Sequence, residues 1–149
     1  MFKRILVPVD GSSAALRALD KAISLAQAFG GKLLLVNVID AYPFVGIGAD
    51  YSFGQNEYMA AATASANQLL ARAEAAVADA GQTCERRVIE GHVIYEGILD
   101  AAREFEADLI VMGSHGRLGL EKLLLGSTAQ RVLSHTSLPV LIVRGESAS

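Results

Sequence analysis

Four short apolar runs constrain this chain more than any other feature: "ILVPV" at 5–9, "KLLLVNVI" at 32–39, "DLIVMG" at 108–113 and "PVLIV" at 139–143. A strand with one solvated face alternates apolar and polar residues. A run without alternation has both faces covered, as happens where helices pack on both sides of a parallel sheet. The segments between the runs have the helical period instead. From 14 to 29, Leu16, Leu19, Ile23 and Ala26 recur at helical spacing while Arg17, Asp20, Lys21 and Gln27 fall elsewhere, and Gly30-Gly31 supplies the stop. Residues 56–80 are rich in Ala, Leu, Gln, Glu and Arg, strong helix formers, and close at Gly81. Further helical patterns run over 93–105 and 129–135. "CERRVIEG" at 84–91 is a fifth strand, less apolar and so nearer an edge. Five strands alternating with four helices predict a doubly wound, Rossmann-like α/β fold, one domain over 1–149, with right-handed crossovers.

Residues 40–55, "DAYPFVGIGADYSFGQ", follow neither period and predict a long loop, either functional or packing its own aromatics. Composition narrows the function classes. A formal net charge of −3, with 13 basic and 16 acidic residues and no block of five like charges, gives no nucleic-acid footprint. Cys84 is the only cysteine, which excludes an internal disulfide and a cysteine-cluster metal site and leaves it as a small hydrophobe at a strand position. The start, "MFKRILVPVD", is too short in apolar residues for a signal peptide or a membrane span. A cytoplasmic protein without membrane insertion is expected.

The richest stretch is "VMGSHGRLGLEKLLLGSTAQRV", Val111 to Val132. In open parallel sheets ligands bind beyond the carboxyl ends of the strands, and Asp10, Asp40 and Gly113 each end an apolar run. Glycines at 113 and 116 allow a sharp turn and leave backbone amides open to phosphate oxygens. Gly126-Ser127-Thr128 opens a helix whose free amides and positive dipole end form an anion site, with Gly126 giving access and Ser127 capping or donating its hydroxyl. Between them, Arg117 and Lys122 offer screening charge, and five leucines anchor the excursion. The spacing is neither GxGxxG nor GxxxxGK[ST], so dinucleotide and P-loop fingerprints do not apply. The plain alternative is that Gly113, Gly116 and Gly119 only make turns and Gly126 ends a short helix.

The pattern G-x2-G-x9-G-[ST] formed by Gly113, Gly116, Gly126 and Ser127 resembles the signature of the universal stress protein family, in its ATP-binding branch. The likeness extends to "ILVPVDGS", "VNVID", "ADLIVMGSHGR" and "LPVLIVR", nearly the whole chain. It implies a sheet of order 3-2-1-4-5 and a homodimer through the last strand, with Val140, Ile142 and Val143 near the interface. It also implies that Pro8, Val9, Asp10 and Val38 surround adenine and ribose, with Asp10 near the ribose or a bound Mg2+. Met112, Gly113, His115, Gly116, Gly126, Ser127 and Thr128 would then follow the phosphates of ATP, ADP or AMP. Two positions depart from the family: Thr128 stands where valine is frequent, and His92-Val93 replaces an acidic-proline pair after the third strand.

The resemblance implies a nucleotide-dependent regulator of the stress response. A hydrolase would draw on Asp10, His115 and Ser127, none of which has a second acid or histidine at a readable spacing. At most slow ATP hydrolysis or autophosphorylation is expected. His115, when protonated, can assist phosphate binding, unless it is an exposed loop histidine. An enzyme that adenylates or transfers phosphoryl groups would have to lean on Arg117. The competing class is a dimeric interaction module of the same fold that binds no nucleotide; that branch lacks the spaced glycines. Valine at Gly113 or Gly126 is expected to abolish nucleotide binding while the fold and dimer persist.

Overall fold

Alternating side chains along the apolar runs must find a core on each face, and they do. In the computed structural model, Ile5 and Val7 of the first strand face one layer of helices while Leu6 faces the other, and Leu33 and Leu35 of the second oppose Leu34 and Val36. The structure describes residues 1–40, 52–115 and 125–145. The elements in chain order are β1 (Arg4–Pro8), α1 (Ser13–Phe29), β2 (Lys32–Asp40), α2 (Ser52–Asp79), β3 (Cys84–Gly91), α3 (Ile94–Phe105), β4 (Leu109–Gly113), α4 (Ser127–His135) and β5 (Val140–Val143). All strand pairs are parallel and the order is β3-β2-β1-β4-β5, as the family resemblance implied. One core joins α1 and α2 to the sheet and the other joins α3 and α4.

α1 packs closely because its buried face is mostly alanine: Ala14, Ala15, Ala18, Leu19, Ala22, Ile23 and Ala26. Leu16 does not belong to it. Though Leu16 matches the helical period, it is 53% exposed, because the buried stripe is continued by small residues instead. Ser12 caps the helix by accepting from the Ala15 amide at 3.1 Å. Gly30 ends it in the left-handed conformation, φ 65°, where its amide donates to the Ala26 carbonyl.

Three boundaries differ from expectation. α2 begins at Ser52, so part of the predicted loop is helix; among the described residues its buried face runs through Ala66, Leu70, Ala73 and Val77. Residues 41–51 lie outside the described residues. α4 already includes Ser127 and Thr128, so Gly126 and not Ser127 is the cap residue. Pro139 precedes β5, although its carbonyl extends the ladder by accepting from the Ile110 amide at 3.1 Å. β3 lies at a sheet edge, as its charged residues indicated.

Candidate functional site

The order places β1 and β4 side by side while their following helices leave to opposite faces, α1 to one core and α4 to the other. The crevice beyond their carboxyl ends is the switch point where ligands bind in such sheets.

On the β1 side, the ladder runs past the strand: the Val9 amide donates to the Val36 carbonyl at 2.7 Å, and Asn37 Nδ2 donates to the Val9 carbonyl at 2.7 Å. The backbone that carries Asp10 is thus tied to β2 at two points. Asp10 Oδ1 accepts from the Ser12 amide at 2.9 Å, bending the chain into α1 through Gly11, which adopts φ 84°. Val9's side chain is buried in the α1/α2 core, so its contribution to a crevice ligand is backbone. Pro8, two residues after Leu6, shares the opposite face with Met112 and Val38. Val38 packs under α3, its methyls 3.0 and 3.1 Å from where a Cβ on Gly97 would stand.

On the β4 side, Ser114 is the hub. Only 2% exposed, it donates from its amide to the Val143 carbonyl at 2.8 Å and accepts at its carbonyl from the Gly126 amide at 2.6 Å. Its hydroxyl lies 3.0 Å from His115 Nδ1. The end of β4 and the start of α4 therefore touch directly across the excursion between them. His115 is not an exposed loop histidine: it is half-buried, and among the described residues its buried Nε2 has no hydrogen-bond partner.

The α4 N-terminus is open in two senses. Helix geometry leaves the amides of Ser127, Thr128 and Ala129 without an intrahelical acceptor, and Gly126 has no side chain to cap them. The first turn also carries no acidic residue, whereas α3, likewise without a side-chain cap, has Glu96 in its first turn. Among the described residues, α4's positive pole has no internal counterpart, whereas α1's N-terminus is capped by Ser12. Ser127 is exposed there and Thr128 half-buried.

Two of the glycines also serve close packing between elements. A Cβ on Gly113 would stand 2.7 Å from Ala14 Cβ and 2.8 Å from the Ala14 carbonyl carbon, so the bare backbone is needed for α1 to pack on β4. Gly126 is also a close-approach position, 3.1 Å from the Ser114 carbonyl oxygen and 3.3 Å from His115 Cα. Gly116, Arg117 and Lys122 lie outside the described residues. Asn37 and Ser114 escaped sequence reasoning; the single polar residue inside "LLLVNVI" was the available signal for Asn37, and nothing flagged Ser114.

As for chemistry, Asp10 has one oxygen engaged by the Ser12 amide, and His115 Nδ1 meets a hydroxyl, not a carboxylate. Among the described residues no group of three or more His, Cys, Asp or Glu side chains is placed to hold a metal. Asp10 is a carboxylate at this crevice that a cation could meet. No helix among the described residues is long and apolar enough to cross a membrane.

Comparison with known proteins agrees with this architecture. The model of the universal stress protein family matches residues 1–144. Universal stress protein MJ0531 of Methanocaldococcus jannaschii is 35% identical over 144 residues, covering 97% of this chain and 83% of its own length. The structure of UspA from Lactobacillus plantarum superposes with a TM-score of 0.87 at 28% identity, covering 96% of this chain and 98% of that one. A universal stress protein solved in complex with cAMP superposes with a TM-score of 0.70 at 27% identity, covering 97% of this chain and 98% of that one. With the family pattern running almost end to end and the sheet order in agreement, this chain belongs to the universal stress protein family.

Proposed function

We propose that the protein binds an adenine nucleotide at the β1/β4 crevice and acts as a nucleotide-dependent regulator of the stress response in the cytoplasm, as a homodimer through β5. ATP with Mg2+ is the favoured ligand, and ADP and AMP are the alternatives. The observation that carries this reading is the pairing of α4's open, positive N-terminus with His115 Nε2 beside it, buried and without a hydrogen-bond partner among the described residues. An anion answers the first and a hydrogen-bonding group the second. The cAMP complex of a relative supports adenine-nucleotide chemistry on this fold.

In this arrangement Pro8, Asp10, Val38 and the Val9 backbone border the nucleoside, while Met112, Gly113, His115, Gly116, Gly126, Ser127 and Thr128 line the phosphate path. A ligand held by both the end of β4 and the start of α4 couples the two elements, and that is the change a partner would read. The arrangement supplies hydrogen-bond donors and a dipole rather than an activated nucleophile, which favours sensing over turnover.

Calorimetric titration of nucleotide-stripped protein with ATP and Mg2+, ADP, AMP and cAMP tests the proposal, together with mass spectrometry of any small molecule released when gently purified protein is denatured. Saturable ATP binding is expected. In Ser127→Ala the affinity should fall about tenfold to a hundredfold, the effect of losing one charge-assisted hydrogen bond, with little change in stability. Protein that emerges empty and fails to bind any of the four would transfer the function to a nucleotide-free dimeric interaction module.

A further inference from the structure

We propose that Ser114 is a positioning residue that holds His115 in the tautomer protonated at Nε2, so that His115 serves as a neutral donor to a phosphate oxygen of the bound nucleotide. This inference rests on the nucleotide-binding reading above and names a requirement that reading does not contain.

A buried hydroxyl has one proton and must place it on an acceptor. Ser114 is 2% exposed, and among the described residues His115 Nδ1, at 3.0 Å, is the hydrogen-bond partner of its Oγ. If Nδ1 carried a proton and donated it, the Ser114 hydroxyl proton would be buried without an acceptor. A doubly protonated ring would produce the same conflict. The hydroxyl therefore donates to Nδ1, and the ring proton sits on Nε2.

With that assignment, Nε2 is a buried donor with no acceptor among the described residues. Its position indicates which kind of acceptor suits it. The adjacent ring atom, Cδ2, lies 3.7 Å from where a Cβ on Gly126 would stand, so the Cδ2–Nε2 edge flanks the α4 N-cap. The free helix amides there are donors as well, and the helix end is positive. An acceptor shared by an imidazole N–H and a helix N-terminus is an anionic oxygen; the amino group of adenine, a donor, does not suit it. The main chain that carries the Ser114 hydroxyl is fixed at the same place, its amide and carbonyl joining β5 and α4.

Long-range proton–nitrogen correlation spectra of nitrogen-15-labelled protein, in mildly alkaline buffer, read the tautomer directly. The free protein should show His115 protonated at Nε2, and ATP should shift the Nε2 proton strongly while adenosine leaves it in place. Ser114→Ala should populate both tautomers and weaken ATP about tenfold, with adenosine affinity unchanged. In a His115→Gln background, where the amide donor needs no tautomer lock, Ser114→Ala should have no further effect on ATP. A free protein protonated at Nδ1, an Nε2 proton unmoved by bound ATP, or an equal shift with adenosine would each overturn the assignment while leaving nucleotide binding intact. Failure of the wild-type protein to bind ATP at all would overturn the nucleotide reading, and this inference with it.

Discussion

At Gly113 the hydrogen that replaces a side chain faces α1, which alters what a substitution there reports. Valine would place a Cβ 2.7–2.9 Å from the Ala14 and Ala15 main chain and side chain, where nothing can swing aside. Overpacking of a close element contact costs about 1–3 kcal/mol or more, so Gly113→Val should lose stability along with any ligand binding, contrary to the expectation of an intact fold. Gly126→Ala is the informative companion: its nearest contact, the Ser114 carbonyl at 3.1 Å, asks for only a few tenths of an ångström of movement. Urea unfolding should separate the two, with Gly113→Val shifted to a clearly lower midpoint and Gly126→Ala close to wild type while its ATP affinity drops. The positions were legible because spaced glycines stand out in a sequence. Their cause was not, since a missing Cβ looks the same whether phosphate or another helix fills the space. Ser114 was invisible for a related reason: its importance lies in meeting Val143, Gly126 and His115 at once, and two of those partners are remote in sequence.

At the scale of elements, the N-terminal start of β1 is fastened by one carboxylate. Asp108 accepts from the Lys3 amide at 2.7 Å and the Arg4 amide at 3.0 Å, while Arg4 Nε donates to the Phe105 carbonyl at 2.5 Å and its guanidinium stacks 4.2 Å from the Phe105 ring. Asp108→Ala should therefore cost about 2–3 kcal/mol in chemical denaturation, two hydrogen bonds from main-chain donors to a charged group being lost together. The β3 strand carries a pH-sensitive group. Burial, reinforced by the Glu74 carboxylate and opposed by Arg86, pushes the Cys84 thiol above its ordinary pKa. The neutral thiol is thus favoured in the folded state: its contribution to stability is complete below the unfolded pKa and is lost as pH rises through the folded value. Stability measured from neutral to strongly alkaline pH should fall more steeply in wild type than in Cys84→Ala, and thiol-specific labelling of native protein at neutral pH should be slow. The elements themselves were legible in sequence wherever burial was two-sided, as in β1, β2 and β4. α2 was misplaced because residues 52–55 follow no helical apolar period in the sequence; Leu16 was misplaced because a stripe of alanines carries α1's contact with almost no hydrophobic contrast.

For the molecule as a whole, the two edges of the sheet are unlike. β3 presents Glu85, Arg86 and Arg87, and charge on an edge strand discourages pairing with another chain. β5 is only four residues long, wholly apolar, with Leu141 39% exposed on the strand and Leu133 of the preceding helix 41% exposed. A monomer would leave that edge unguarded, whereas a second copy laid along it would cover the leucine and satisfy the outward main-chain groups. The two-fold symmetry of such a pairing doubles any change made in it, because each substituted residue meets its own copy or a near neighbour. Leu141→Lys places a charge in each of the two facing strands and supplies the same protection that β3 already has. Sedimentation velocity at micromolar protein should show wild type as a dimer and Leu141→Lys shifted to monomer, with the far-ultraviolet circular dichroism of the two superimposable. Charge introduced on the opposite edge, at the exposed Glu85 by Glu85→Lys, should leave the dimer in place. A wild-type protein that sediments as a monomer at every accessible concentration would refute pairing through β5. The α4 N-terminus is built from the protein's own β4 and α4, so Leu141→Lys should still bind ATP; a monomer that loses the ligand would instead mean that the second copy completes the site.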